Sequence, residues 1–119
     1  MKKEIYQLNS CSTCARISKE LGVDASWHNQ NIKEQNISEE ILDAAKEQLG
    51  SYEALFSKRA MKYKSLGLKD KIKTDQEYKN YILEEYTFLK RPLVKINDTF
   101  FAGNSKKTVA EIQEALANG

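Results

Sequence analysis

The chain has few of the residues that lock a fold by covalent or coordinate bonds: two cysteines, one histidine and one proline among 119 residues. Two cysteines cannot build the disulfide framework of a small secreted scaffold. A four-ligand zinc site within one chain would be short of donors, because His28 is the only histidine to add to Cys11 and Cys14. No apolar stretch approaches the roughly 20 residues that span a bilayer. Charge of one sign is lacking too. With 19 basic and 17 acidic residues and a formal charge of +2, no global field draws in nucleic acid or acidic lipid, so direct binding to either is not expected. No basic, apolar leader opens the sequence, and the expected location is a reducing cytoplasm. Arginine is scarce beside lysine, three against 16.

What is present reads as one α/β domain over residues 1–119, a length that buries about two thirds of the unfolded surface. Ile5-Tyr6-Gln7-Leu8 reads as a first strand ending at Asn9-Ser10. Cys14, Ile17 and Leu21 share a helical face that Gly22 stops, and Ala25 to Ile32 reads as a second, parallel strand. Ser38 caps a helix carrying Ile41, Leu42, Ala45 and Leu49 to Gly50. Short helical pieces follow at Tyr52-Leu55-Phe56 and Tyr63-Leu66, the second ended by Gly67, and Thr74 to Glu77 caps another through Ile82 and Leu83. Leu93 to Ile96 and Thr99 to Ala102 form a hairpin across Asn97-Asp98, and a last helix starts near Ser105 with Val109, Ile112 and Leu116 inward. The order is β-α-β, a helical block at about 38–87, then β-β-α, with a mixed four-stranded sheet. That is a thioredoxin-like fold with helices inserted as a lobe.

The chemistry gathers at Cys11-Ser12-Thr13-Cys14. A cysteine in the first helical turn meets unpaired backbone N–H groups and the positive end of the helix dipole, which favour thiolate. Cys11 is therefore the candidate nucleophile. Cys14, one turn deeper on the same face, is the candidate resolving thiol. A loop this short removes little unfolded-state entropy, so a purely structural disulfide explains the pair poorly. Half a zinc knuckle is the competing reading, and its other half is missing. Arg91, fixed by Pro92, and Arg59 have the fork that suits oxyanions, against the plainer alternative of surface ion pairs such as Arg91 with Glu84 or Glu85. His28 and Arg16 read as structural and solvated, respectively. Tyr78, Tyr81, Tyr86 and Phe88 read as packing against the sheet. The lysine-rich run from Lys58 to Lys73 is a basic face, more simply solvated than bound.

Cys11-Ser12-Thr13-Cys14, Ser57-Lys58-Arg59 leading to Tyr63 and Leu66-Gly67, Lys90-Arg91-Pro92-Leu93-Val94 and Ala102-Gly103 together resemble the arsenate reductase-like (ArsC/Spx) family of thioredoxin-fold proteins, over nearly the whole chain. The resemblance implies a cis peptide before Pro92, a pocket shaped by Arg91 and Pro92, and substrate binding by Arg59, Ser12 and Thr13. It implies a thiol-dependent, arsenate reductase-like oxidoreductase with no bound cofactor. Its substrate would be a small oxyanion or a protein disulfide, and its electron donor glutathione with glutaredoxin, or thioredoxin. Departures from the family pattern are Asn9-Ser10 before Cys11, Cys14 at the end of the loop, and Asn104-Ser105-Lys106-Lys107 where reductases carry a third arginine. These lean toward the alternative, a Spx-like redox-sensing regulator that binds the RNA polymerase α subunit.

Overall fold

The computed structural model describes residues 1–118. The first strand, β1 (Lys3–Gln7), is buried at Ile5, Tyr6 and Gln7 because it lies inside the sheet rather than at its edge. It runs parallel to β2 (His28–Asn31), with Ile5 opposite Asn29, and antiparallel to β3 (Leu93–Ile96), with Ile5 opposite Val94. The hairpin partner β4 (Thr99–Ala102) completes the order β2-β1-β3-β4. This is the expected mixed α/β, thioredoxin-like arrangement.

The connection between β1 and β2 is α1 (Ser12–Leu21), stopped at Gly22, whose φ of 69° lets its N–H reach the Lys19 carbonyl. The last helix, α6 (Lys106–Asn118), is started by Ser105, whose hydroxyl accepts the Thr108 N–H at 3.1 Å. Ile5, Val94 and Ile96 on one sheet face form a core with Ile17 and Leu21 of α1, Trp27, and Val109 and Ile112 of α6. A buried polar link stands beside it. Gln7 is only 6 % exposed, yet its amide donates to Asn29 at 2.9 Å and accepts the Ser18 hydroxyl at 2.7 Å, satisfying it on both sides. Ile17 has no exposed surface. Ile17→Ala is therefore expected to lower stability by about 2–5 kcal/mol, read as a fall in the guanidinium midpoint at unchanged slope.

Residues Asn36–Lys90 form a second compact unit, and Met1–Gln35 with Arg91–Gly119 the first. The second holds α2 (Glu39–Leu49), α3 (Met61–Ser65), α4 (Leu68–Lys71) and α5 (Asp75–Glu84), with single 3-10 turns at Glu53–Leu55 and Tyr86–Phe88. Ser38 caps α2 through the Ile41 N–H, and Thr74 with Glu77 forms a reciprocal capping box on α5. Lys79 joins α5 to α2 by ion pairs with Glu39 at 3.0 Å and Asp43 at 2.9 Å.

Three local expectations differ from the structure. The second strand does not begin at Ala25: the Asp24 carbonyl takes the Trp27 N–H and its carboxylate the Ser26 N–H, and this turn leaves only His28–Asn31 to pair. Gly67 ends α3, its N–H donating to the Lys64 carbonyl at 3.1 Å, but with φ of 63° it also opens a further helix, α4, and Leu66 is exposed rather than covering a side. The aromatic run gathers on Phe56: Phe88 stacks on it at 5.1 Å, Tyr78 meets it edge-on at 5.0 Å, and Tyr81 in turn packs on Phe88.

Candidate active site

Cys11 stands at the N-cap of α1 with extended backbone, so its sulfur occupies the place where a cap side chain accepts the helix's orphan N–H groups. The Cys14 N–H points to Cys11 Sγ at 3.5 Å. The loop entering this cap is steadied from both sides. Cys11 N–H donates to the Leu8 carbonyl at 3.0 Å, and Asn31 Oδ1 receives the Asn9 N–H at 3.4 Å. Asn31 carried no signal in the sequence, since a polar residue ending a strand is ordinary.

The two thiols differ in electrostatics. Partial burial pushes the Cys11 thiol up, but hydrogen bonds from the Cys14 N–H, the Cys14 thiol and the Thr13 N–H, with the Arg91 charge, bring it below the ordinary cysteine value. Cys14 is 1 % exposed, and burial with the neighbouring Cys11 pushes it up to about 11 despite opposing contributions from Leu8 and Arg91. Both are free thiols. The thiolate is thus favoured at Cys11 relative to Cys14, whose thiol is held protonated.

Arg91 opens the second segment of the same unit. Its peptide to Pro92 is cis, Pro92 is buried, and the Pro92 carbonyl accepts the Gly103 N–H at 3.1 Å. The Arg91 guanidinium acts on both thiols, yet its Nη1 is buried with no hydrogen-bond partner among the described residues. An orphaned buried donor on a permanent cation is costly unless an acceptor arrives. Arg91 is in no ion pair among the described residues, and Glu85 pairs with Lys62 at 2.7 Å.

The first unit therefore brings Cys11, Thr13 and Cys14 within electrostatic reach of Arg91, which Pro92 follows in the chain. Ser12 is exposed in the first turn of α1, and Arg16 pairs with Glu20 on the outer side. Arg59 belongs to the helical unit, where it is exposed beside a cleft of about 280 Å³ shared with Lys58 and Lys90. His28 is exposed, its ring edge-on to Tyr6 at 5.8 Å. Among the described residues, no three His, Cys, Asp or Glu side chains group as a metal would need, and no helix is long and apolar enough to cross a membrane.

A profile of the ArsC family matches residues 6–112. The chain belongs to the ArsC family. Among solved members, an ArsC-family-related protein of Bacteroides fragilis is 26 % identical with a TM-score of 0.79, covering 94 % of this chain and 98 % of its own. An arsenate reductase of Vibrio cholerae is also 26 % identical, with a TM-score of 0.77 and the same coverage. No curated protein sequence matches the chain. This ArsC-family site makes a sharp chemical distinction between its thiols. Limiting iodoacetamide at mildly acidic pH is expected to label Cys11 first, because thiolate is the reactive form and the Cys11 thiol lies below the ordinary value. Cys14 should be labelled appreciably only as pH rises toward 11. Mass mapping of the labelled peptide checks this, and preferential labelling of Cys14 would contradict it.

Proposed function

We infer that the protein is a thiol-dependent oxidoreductase of the arsenate reductase kind, in which Cys11 is the nucleophile, Cys14 the resolving thiol and Arg91 the oxyanion ligand. The buried, unpartnered Arg91 Nη1 beside a thiol favoured as thiolate carries this reading. The Cys11 thiolate attacks the arsenic of arsenate, one oxygen leaves as water, and a Cys11–arsenic bond forms. Cys14 then gives up its proton and attacks Cys11 Sγ. A sulfur–sulfur bond forms as the sulfur–arsenic bond breaks, its electron pair stays on arsenic, and arsenite leaves. The two electrons come from the two sulfurs. An external thiol, glutathione with glutaredoxin or thioredoxin, returns them to the disulfide.

Ser12 and Thr13 open the same helix, and the Thr13 N–H supports the Cys11 anion. Arg59 is proposed as a further anion ligand on the family pattern. The name borne by the Vibrio cholerae relative supports the reductase reading. The regulator acting through the RNA polymerase α subunit would use the same disulfide, but no contact described here favours that partner. A cytoplasmic setting, which keeps free thiols reduced, fits both. Mild peroxide is expected to give an intramolecular Cys11–Cys14 disulfide, because a sulfenic acid on Cys11 has a resolving thiol one turn away. Non-reducing peptide mapping reads it. Oxidation that stops at sulfinic acid would remove Cys14 from the resolving role.

The function itself is tested by steady-state arsenate reduction with each donor supplied in turn. Arsenite production dependent on a thiol donor supports the reading, and no arsenite with any donor overturns it.

A further inference from the structure

The groups that act on the Cys11 sulfur set how many protons the site can deliver. They are the Cys14 N–H and thiol, the Thr13 N–H and the Arg91 charge. Amides and the guanidinium keep their protons near neutral pH, so the Cys14 thiol is the acid among them. With Cys11 in its reactive thiolate form, the pair therefore holds a single proton, on a thiol that is 1 % exposed. Arsenate reduction consumes more than one, because an oxygen must leave arsenic as water. A substrate whose leaving group is already a stable anion needs no other acid. The second observation is the Arg91 Nη1, a buried donor on a permanent cation with no acceptor among the described residues. It suits an oxyanion that keeps its full charge as it departs. Cys11, Cys14 and Arg91 all belong to one compact unit.

We propose that this site also reduces thiosulfate, a tetrahedral dianion in which a soft sulfur replaces one oxygen of sulfate. The inference rests on the roles given above to Cys11, Cys14 and Arg91, and not on arsenate as substrate. The Cys11 thiolate attacks the outer sulfur, as thiolates attack sulfur in disulfide exchange. A bond forms from Cys11 Sγ to that sulfur, the bond to the central sulfur breaks with its electron pair, and sulfite leaves from the Arg91 fork. Cys11 is left as a persulfide anion at the N-cap of α1, where the Cys14 N–H already points to Sγ at 3.5 Å. The Cys14 proton passes to the outer sulfur, and the Cys14 thiolate attacks Cys11 Sγ. The disulfide forms and hydrosulfide leaves. One thiolate, one thiol and one thiosulfate thus become one disulfide, one sulfite and one hydrosulfide, with no proton drawn from solvent. The two electrons that reduce the outer sulfur come from the two cysteine sulfurs. Sulfate and phosphate share the shape but offer no soft sulfur, so they occupy the arginine without reacting.

The test mixes fully reduced protein, freed of reductant, with excess sodium thiosulfate, then quantifies sulfite and sulfide and maps the cysteines. About one sulfite and one sulfide per chain are expected, formed in step with a Cys11–Cys14 disulfide. Cys14→Ser should release sulfite but no sulfide, and its Cys11 should gain the mass of one sulfur atom, which cyanide removes as thiocyanate. Cys11→Ser should give neither product. Arg91→Lys should slow sulfite release roughly fivefold to a hundredfold at an unchanged thermal melt. No sulfite from protein whose Cys11 still alkylates overturns the inference. So does sulfite formed no faster than by free glutathione at equal thiolate concentration, or equally fast in Arg91→Lys. A parallel run with arsenate separates the two readings. Arsenite without sulfite overturns the thiosulfate activity and leaves the arsenate reading standing. Sulfite without arsenite supports the thiosulfate activity and overturns the arsenate reading, and neither product overturns both.

Discussion

Cys11→Ser is expected to abolish arsenate reduction, with kcat/KM falling by about 10³-fold or more while the fold stays intact. A serine hydroxyl is barely ionised near neutral pH, so the attacking anion is lost. No sulfur then remains at position 11 to form a disulfide, and the two electrons have no route to the substrate. Stability should hold because the residue is the N-cap of α1, and serine is among the best side chains for accepting the Cys14 N–H there. A thermal melt at or above that of wild type, with no arsenite formed, is the expected pair of results. Cys14→Ser separates the roles further, since attack on arsenic survives while release does not. That variant should carry a Cys11 adduct on arsenic, visible by mass, and turn over only when an external thiol takes the resolving step. Turnover in Cys11→Ser comparable to wild type would remove Cys11 from the chemistry.

Arg91→Lys is expected to weaken kcat/KM by roughly fivefold to a hundredfold, the equivalent of about 1–3 kcal/mol, although it conserves charge. The planar fork can offer two parallel N–H groups to an oxyanion, and the ammonium is a point charge. Stability should respond in the opposite direction or not at all, because Nη1 has no partner to lose and an unsatisfied buried donor disappears. Arg91→Met distinguishes binding from thiol activation. The Arg91 charge helps hold the Cys11 thiol below its ordinary value. Its removal should move the pH dependence of Cys11 alkylation upward, so that less thiolate is present at a given mildly acidic pH. In Arg91→Lys that profile should stay near wild type while anion affinity falls. A melt that drops in Arg91→Lys without a specific kinetic loss would instead assign Arg91 a structural ion pair.

The features legible in the sequence were those set by short-range chemistry. Gly22, Ser38 and Thr74 act at helix ends where the backbone requires a left-handed residue or an acceptor, and each does so where its neighbours indicate. Asn97 turns the hairpin at φ of 54°, the conformation that asparagine tolerates better than most residues. The Cys11–Cys14 spacing likewise announces one sulfur at the helix cap and one buried a turn deeper. What escaped the sequence depends on partners distant in the chain. The Asp24 side chain and carbonyl claim the backbone that would have lengthened β2, and Gln7 is buried only because Ser18 and Asn29 both reach it. The solitary Nη1 of Arg91 is a property of everything around it, and no local pattern encodes a missing partner. The lysine-rich run from Lys58 to Lys73 could be counted from the sequence, but not that Leu68 and Ile72 turn inward and leave Met61 in the open.

The most direct measurement is a single turnover without any external reductant. Fully reduced protein is mixed with excess arsenate, then arsenite is quantified and the cysteines are mapped under non-reducing conditions. The account predicts about one arsenite per chain, formed in step with a Cys11–Cys14 disulfide, and none from Cys11→Ser. Intact free thiols and no arsenite, in a protein whose Cys11 still alkylates first, would contradict it.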